Sequence, residues 1–129
     1  MAVGEALTNL RSVSVGPLKT VRISANWMAA AGVEGQGSAL YESVHSVTLE
    51  ICRTLEISIP VGKDSLPMQT EWVDDAGHST KVVSPISLVA TAFAAVQDVR
   101  SCVTPQLTKK SDTVLLLVDL GAGQNRFTA

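Results

Sequence analysis

Two cysteines, Cys52 and Cys102, are all the thiol chemistry this chain of 129 residues holds, and they stand far apart with no CxxC spacing. That spacing excludes a disulfide framework and a cysteine zinc site, and it makes both thiols reduced packing residues. Long apolar runs are also missing. The longest, Ile86 to Val96, is interrupted by Ser87 and Thr91 and falls far short of the roughly 20 residues a bilayer span needs. Nor is there a basic field: 10 Lys and Arg face 12 Asp and Glu, and no basic run exceeds Lys109-Lys110. Neither a membrane nor nucleic acid is an expected partner. The opening residues Met1 to Glu5 carry neither a basic leader nor an apolar signal core, so the expected location is cytoplasmic.

Generic catalytic signatures are absent as well. There is no GxxxxGK[ST] phosphate loop and no GxSxG nucleophile turn, and Gly121 to Arg126 puts Arg126 where a dinucleotide fingerprint needs its third glycine. His45 and His78 lack HxH or HExxH spacing and are assigned no zinc role.

What is present reads as a folded globular segment, with 46% apolar and 17% charged residues. Residues 4 to 15 fit a helix that Gly16-Pro17 would stop, because proline lacks the backbone donor. Val21, Ile23, Ala25 and Trp27 alternate with polar neighbours and predict a half-buried strand. The three glycines between Ala31 and Ser38 predict a mobile loop that ends with Ser38 as a helix cap. Leu40, Val44, Val47, Ile51 and Leu55 recur at three- and four-residue steps and predict a helix over 39 to 56.

Residues 57 to 61 predict a short buried strand, and Gly62 to Ser65 a polar turn at its carboxyl end, where ligands are commonly held. Leu66 to Trp72 and Thr80 to Val83, joined by Asp74 to Gly77, predict a hairpin. Periodicity leaves residues 86 to 96 open between helix and strand. Leu115 to Val118 predicts another buried strand, with a domain boundary near Thr104-Pro105. A helix starting almost at Met1 and a chain that stops just after a strand together suggest a fragment of a longer polypeptide, and its unpaired apolar strands suggest a tendency to aggregate in isolation.

Two constellations carry chemistry. Glu5 and Asn9 lie four apart on one helix, so a carboxylate and an amide oxygen share a face, as ligation of Mg²⁺ requires; a solvated Glu beside an ordinary Asn is the competing reading. In Pro60 to Leu66, Gly62 would let backbone approach a phosphate, while Lys63, Asp64 and Ser65 offer charge, metal ligation and a hydroxyl. An ordinary hydrophilic turn would look much the same.

The ordered motifs GEALTN (Gly4 to Asn9), SANWMAAAG (Ser24 to Gly32), LYESV (Leu40 to Val44), PVGKDSL (Pro60 to Leu66), SPISLVATAFA (Ser84 to Ala94) and TPQL (Thr104 to Leu107) resemble the synthetase region of the large, single-chain phosphoribosylformylglycinamidine synthases, also called FGAR amidotransferases. The resemblance implies an α/β (α+β) fold of the aminoimidazole-ribonucleotide-synthetase-like, N-terminal type: a mixed sheet with flanking helices that packs against a pseudo-twin. Residues 1–104 would be part of the second synthetase half and 105–129 the start of the following domain. It also implies a strand for residues 86 to 96.

By the same resemblance, Glu5 and Asn9 look like Mg²⁺ ligands beside ATP or ADP. Asn26, Gly62, Lys63, Asp64 and Ser65 would line the nucleotide or substrate-phosphate side. The implied reaction is an ATP-dependent ligation, converting formylglycinamide ribonucleotide and glutamine-derived ammonia into the amidine. The alternative is a non-catalytic half that keeps one ADP permanently bound as a scaffold. The implied partners are the remaining domains of the same polypeptide. Alone, the chain is expected to be inactive.

Overall fold

The computed structural model describes residues 1–119, 123 and 124. Helix α1 runs Ala2–Asn9 and tightens into a 3₁₀ turn at Leu10–Ser12. The helix expected to reach residue 15 therefore ends early, and Gly16-Pro17 is not its stop. Val13 is already extended, Ser14 accepts the Gln97 backbone N–H at 2.8 Å, and Val15 bridges Val96. Tertiary pairing with the far end of the sheet overrides the local apolar periodicity.

Strand β1, Arg22–Met28, is central in a three-stranded sheet of order β2-β1-β5, with β2 at Ser58–Ser65 and β5 at Ser87–Phe93. β2 lies parallel to β1 and β5 antiparallel, so the sheet is mixed. The alternation read from the sequence is the observed burial: Ile23, Ala25 and Trp27 are buried, while Arg22, Ser24, Asn26 and Met28 are half-buried. Residues 87 to 93 settle as strand, in agreement with the resemblance. The hairpin also forms, as β3 (Gln69–Val73) antiparallel to β4 (Ser79–Val83).

Helix α2 spans Gln36–His45 and continues as a π-helix through Ser46–Cys52. Its cap is Gly35, at φ 80°, not Ser38. Glycine takes that left-handed conformation without steric cost, and the Ser38 hydroxyl instead donates to the Gly35 carbonyl at 2.9 Å. The core lies between these helices and one face of the sheet: Val3, Ile23, Ala25, Trp27, Val47, Cys52 and Ile57 form one buried cluster. The opposite face is open, with Val61, Val89 and Phe93 exposed.

Two further expectations are corrected. Gly62 to Ser65 is not a turn but the last part of β2, in register with Ala25 to Met28. Glycine, lysine, aspartate and serine favour turns locally, yet a parallel neighbour supplies a full backbone ladder, and strand preference follows such context. Leu115 to Val118 forms no strand and is exposed, unpaired with any described strand although β2 and β5 each have an outer edge. The glycine-rich stretch from Gly121 to Arg126 lies outside the described residues, apart from Gly123 and Gln124. No helix among the described residues is long and apolar enough to cross a membrane.

Asp74 closes the hairpin. Its Oδ1 accepts the backbone N–H groups of Ala76 (3.0 Å) and His78 (2.8 Å), and Oδ2 lies 3.3 Å from His78 Nδ1. The His78 backbone donor, followed by the imidazole and the Ala76 and Gly77 amides, holds this carboxyl below its usual range. A lowered folded-state pKa contributes stability above the unfolded value of about 3.9 and loses it as pH falls through the folded value. An acid titration followed by NMR is expected to show Asp74 protonating below its value in the urea-unfolded chain, with the His78 amide signal moving in step.

Candidate functional site

Helix α1 lies over β5, and this packing builds a groove. Ala2, Glu5, Ala6 and Asn9 form one wall, Leu88, Val89 and Ala90 the other, around a cavity of about 250 Å³. Val3 and Ala6 bury the inward stripe of α1, which leaves Glu5 and Asn9 exposed at the groove. Neither side chain has a hydrogen-bond or ion-pair partner among the described residues. Thr8, between them, is occupied, since its hydroxyl donates to the Gly4 carbonyl at 2.7 Å. Glu5 also borders a larger cleft of about 610 Å³, walled by Val3, Val47, Ile51, Ile86 and Leu88.

Strand β2 builds a second recess of about 310 Å³, with Gly62, Lys63 and Asp64 above Trp27, Leu40 and Val44. An added Cβ at Gly62 would come into ordinary contact with the Trp27 ring at 3.9 Å. The Trp27 indole N–H donates to Ser43 Oγ at 3.0 Å and so ties β1 to α2 behind this recess.

Register divides the expected site residues between two faces of the sheet. Ala25 pairs with Gly62 and Trp27 with Asp64, which puts Gly62 and Asp64 on the helix side. Asn26 pairs with Lys63 and Met28 with Ser65, which puts Asn26, Lys63 and Ser65 on the open side. Lys63 Nζ donates to Ser65 Oγ at 3.2 Å, as residues two apart on one face can do. Asn26 Oδ1 is buried and meets no donor among the described residues, and an acceptor left so costs about 1–3 kcal/mol.

The Glu5–Asn9 groove and the Asp64 recess are not one metal cage. β1 stands between the strands that carry them, which separates those backbones by about 10 Å. Consistently, no group of three His, Cys, Asp or Glu side chains among the described residues could hold a metal. Mg²⁺ does not need one: it keeps several waters and is bound by one or two carboxylates together with substrate phosphates. A single carboxylate and an amide oxygen facing an open groove fit that ion.

The groove's second wall escaped sequence reasoning. Leu88 to Ala90 lie 79 or more residues beyond the end of α1, and the only available signal was their place in the SPISLVATAFA motif. The two thiols divide: Cys52 is buried, as expected, but Cys102 is exposed and packs nothing. Burial pushes the Cys52 thiol up from its ordinary value. Stability from this neutral thiol is present below the ordinary thiol range and is lost as pH rises above it. A thiol reagent is expected to modify Cys102 at least about 100-fold faster than Cys52 in the native protein, with the two rates converging in denaturant.

A mixed three-stranded sheet with helices on one face and polar grooves at its edges defines an α+β domain of the PurM N-terminal-like type. The chain belongs to the FGAR-AT PurM_N-like domain family, whose model matches residues 1–95. This membership ties it to the FGAR amidotransferases, ligase-type enzymes of purine biosynthesis, in agreement with the motif resemblance.

Proposed function

We propose that this chain forms part of the Mg²⁺-nucleotide-handling region of a phosphoribosylformylglycinamidine synthase. That enzyme uses ATP and glutamine-derived ammonia to convert formylglycinamide ribonucleotide into its amidine. The observation that carries this reading is the side-by-side exposure of Glu5 and Asn9, unpartnered, on a groove of a domain from this family. Glu5 and Asn9 would hold the cation, which neutralises charge on the phosphates when bound. Gly62 and Asp64 would face the nucleotide from the helix side. Asn26, Lys63 and Ser65 would face the phosphorylated substrate from the open side. Residues 105–129 would begin the next domain of a cytoplasmic enzyme.

One observation favours the scaffold reading, in which ADP stays bound and supports the fold. Beyond Glu5, the groove holds no titratable side chain, so it can bind but has little with which to move protons. Glu5→Ala in the complete enzyme separates the two. A turnover loss of about 100-fold or more with an unchanged melting temperature supports catalytic handling. A lowered melting temperature with near-normal turnover of the surviving enzyme supports the scaffold. No change in either would end both.

A further inference from the structure

The seven-residue π-helix at Ser46–Cys52 solves a packing problem and creates a second feature outside the core. Val47 and Cys52 are both buried. Along an α-helix, residues five apart point about 140° away from each other, so that winding would turn one of the two out of the core. A π-helix bonds i to i+5 and brings such residues onto one side. The same winding acts on the outer surface, where His45 and Glu50, also five apart, meet with Nδ1 and Oε1 3.4 Å from each other.

The outer recess is lined by Tyr41, Glu42, His45, Ser46 and Glu50, all from this one helix. The titratable neighbours of His45 are therefore Tyr41, Glu42 and Glu50, and the Tyr41 ring lies 6.1 Å from the imidazole. On the inner side, Val47 and Ile51 wall the cleft that Glu5 borders. The winding of this segment thus sets the shape of that cleft, whatever the cleft holds.

We propose that His45 and Glu50 form a pH-dependent clamp on the π-wound segment. Protonated, the imidazolium bridges to the Glu50 carboxylate and holds the i to i+5 winding. When the imidazole loses its proton, the charge attraction ends and the segment opens more often, exposing Cys52. The partners are about half exposed, so the clamp adjusts local opening and does not lock the fold.

The test uses the protein carrying Cys102→Ser, which leaves Cys52 as the one thiol of these 129 residues, and modification is read on the Cys52 peptide by mass spectrometry. Its modification rate by a methanethiosulfonate is compared with that of the same protein carrying Glu50→Gln. Taking the ratio at each pH cancels the thiol's own ionisation. The Glu50→Gln protein is expected to react about three- to five-fold faster at about pH 6, with the ratio falling to about one at about pH 8. His45→Gln should abolish the pH dependence of that ratio. A ratio that stays constant with pH, whether near one or raised throughout, would overturn the clamp, as would an undiminished pH dependence in His45→Gln.

Discussion

Trp27→Ala is expected to lower the unfolding free energy by about 3–5 kcal/mol, the range for removing a buried large aromatic side chain. Trp27 is only 6% exposed, sits on the central strand, and belongs to the main core cluster. Its indole also spans from sheet to helix, donating to Ser43 at 3.0 Å, so truncation removes packing and a tertiary hydrogen bond together. Against a typical total of about 5–15 kcal/mol, such a loss approaches global unfolding. Trp27→Phe keeps most of the ring's volume and gives up the donor, and should cost far less, nearer the roughly 1 kcal/mol of one hydrogen bond. Urea unfolding followed by the fluorescence of the remaining Trp72 measures both. Similar small losses for the two variants would mean that Trp27 does not anchor the sheet to α2.

Glu5→Gln in the complete enzyme is expected to raise the Mg²⁺ concentration needed for nucleotide binding by about 100-fold. Loss of a partner that merely orients a metal ligand costs about 10–100-fold, and Glu5 is the one carboxylate on its groove, so its loss should reach the top of that range or beyond. Asn9→Ala removes a neutral oxygen and should shift the requirement less, by about ten-fold. Thr8→Ala is the control: it lies on the same helix, but its hydroxyl is spent on the Gly4 carbonyl and should leave the requirement unchanged. Calorimetric titration of ADP at graded Mg²⁺ concentrations reads all three. A uniform shift across the variants would point to damage to α1 and not to loss of a ligand.

Much of this architecture is written in local pattern. The alternation from Val21 to Trp27 and the steps from Leu40 to Leu55 predicted β1 and the long helix because one-sided burial leaves a period in the chain. The juxtaposition of Glu5 and Asn9 was readable for the same reason, since four residues make about one helical turn. What failed was non-local. The run from Gly62 to Ser65 has turn-forming composition, and only the neighbouring edge of β1 draws it into a strand. The division of Asn26, Lys63 and Ser65 from Gly62 and Asp64 depends on that register, which no short-range signal encodes. The π winding of Ser46–Cys52 stayed hidden because Val44, Val47 and Ile51 also satisfy the α-helical period; the buried pair Val47 and Cys52 is what breaks it.

The claim that organises the site is that α1 presents a cation-binding pair to a nucleotide. A crystal structure of the complete enzyme with ADP and Mn²⁺, in which anomalous scattering locates the cation, addresses it directly. The account predicts a peak within about 2.0–2.3 Å of a Glu5 carboxylate oxygen and the Asn9 amide oxygen, bridged to a phosphate. A fully bound nucleotide whose cations lie elsewhere, with both side chains turned to solvent, would contradict it.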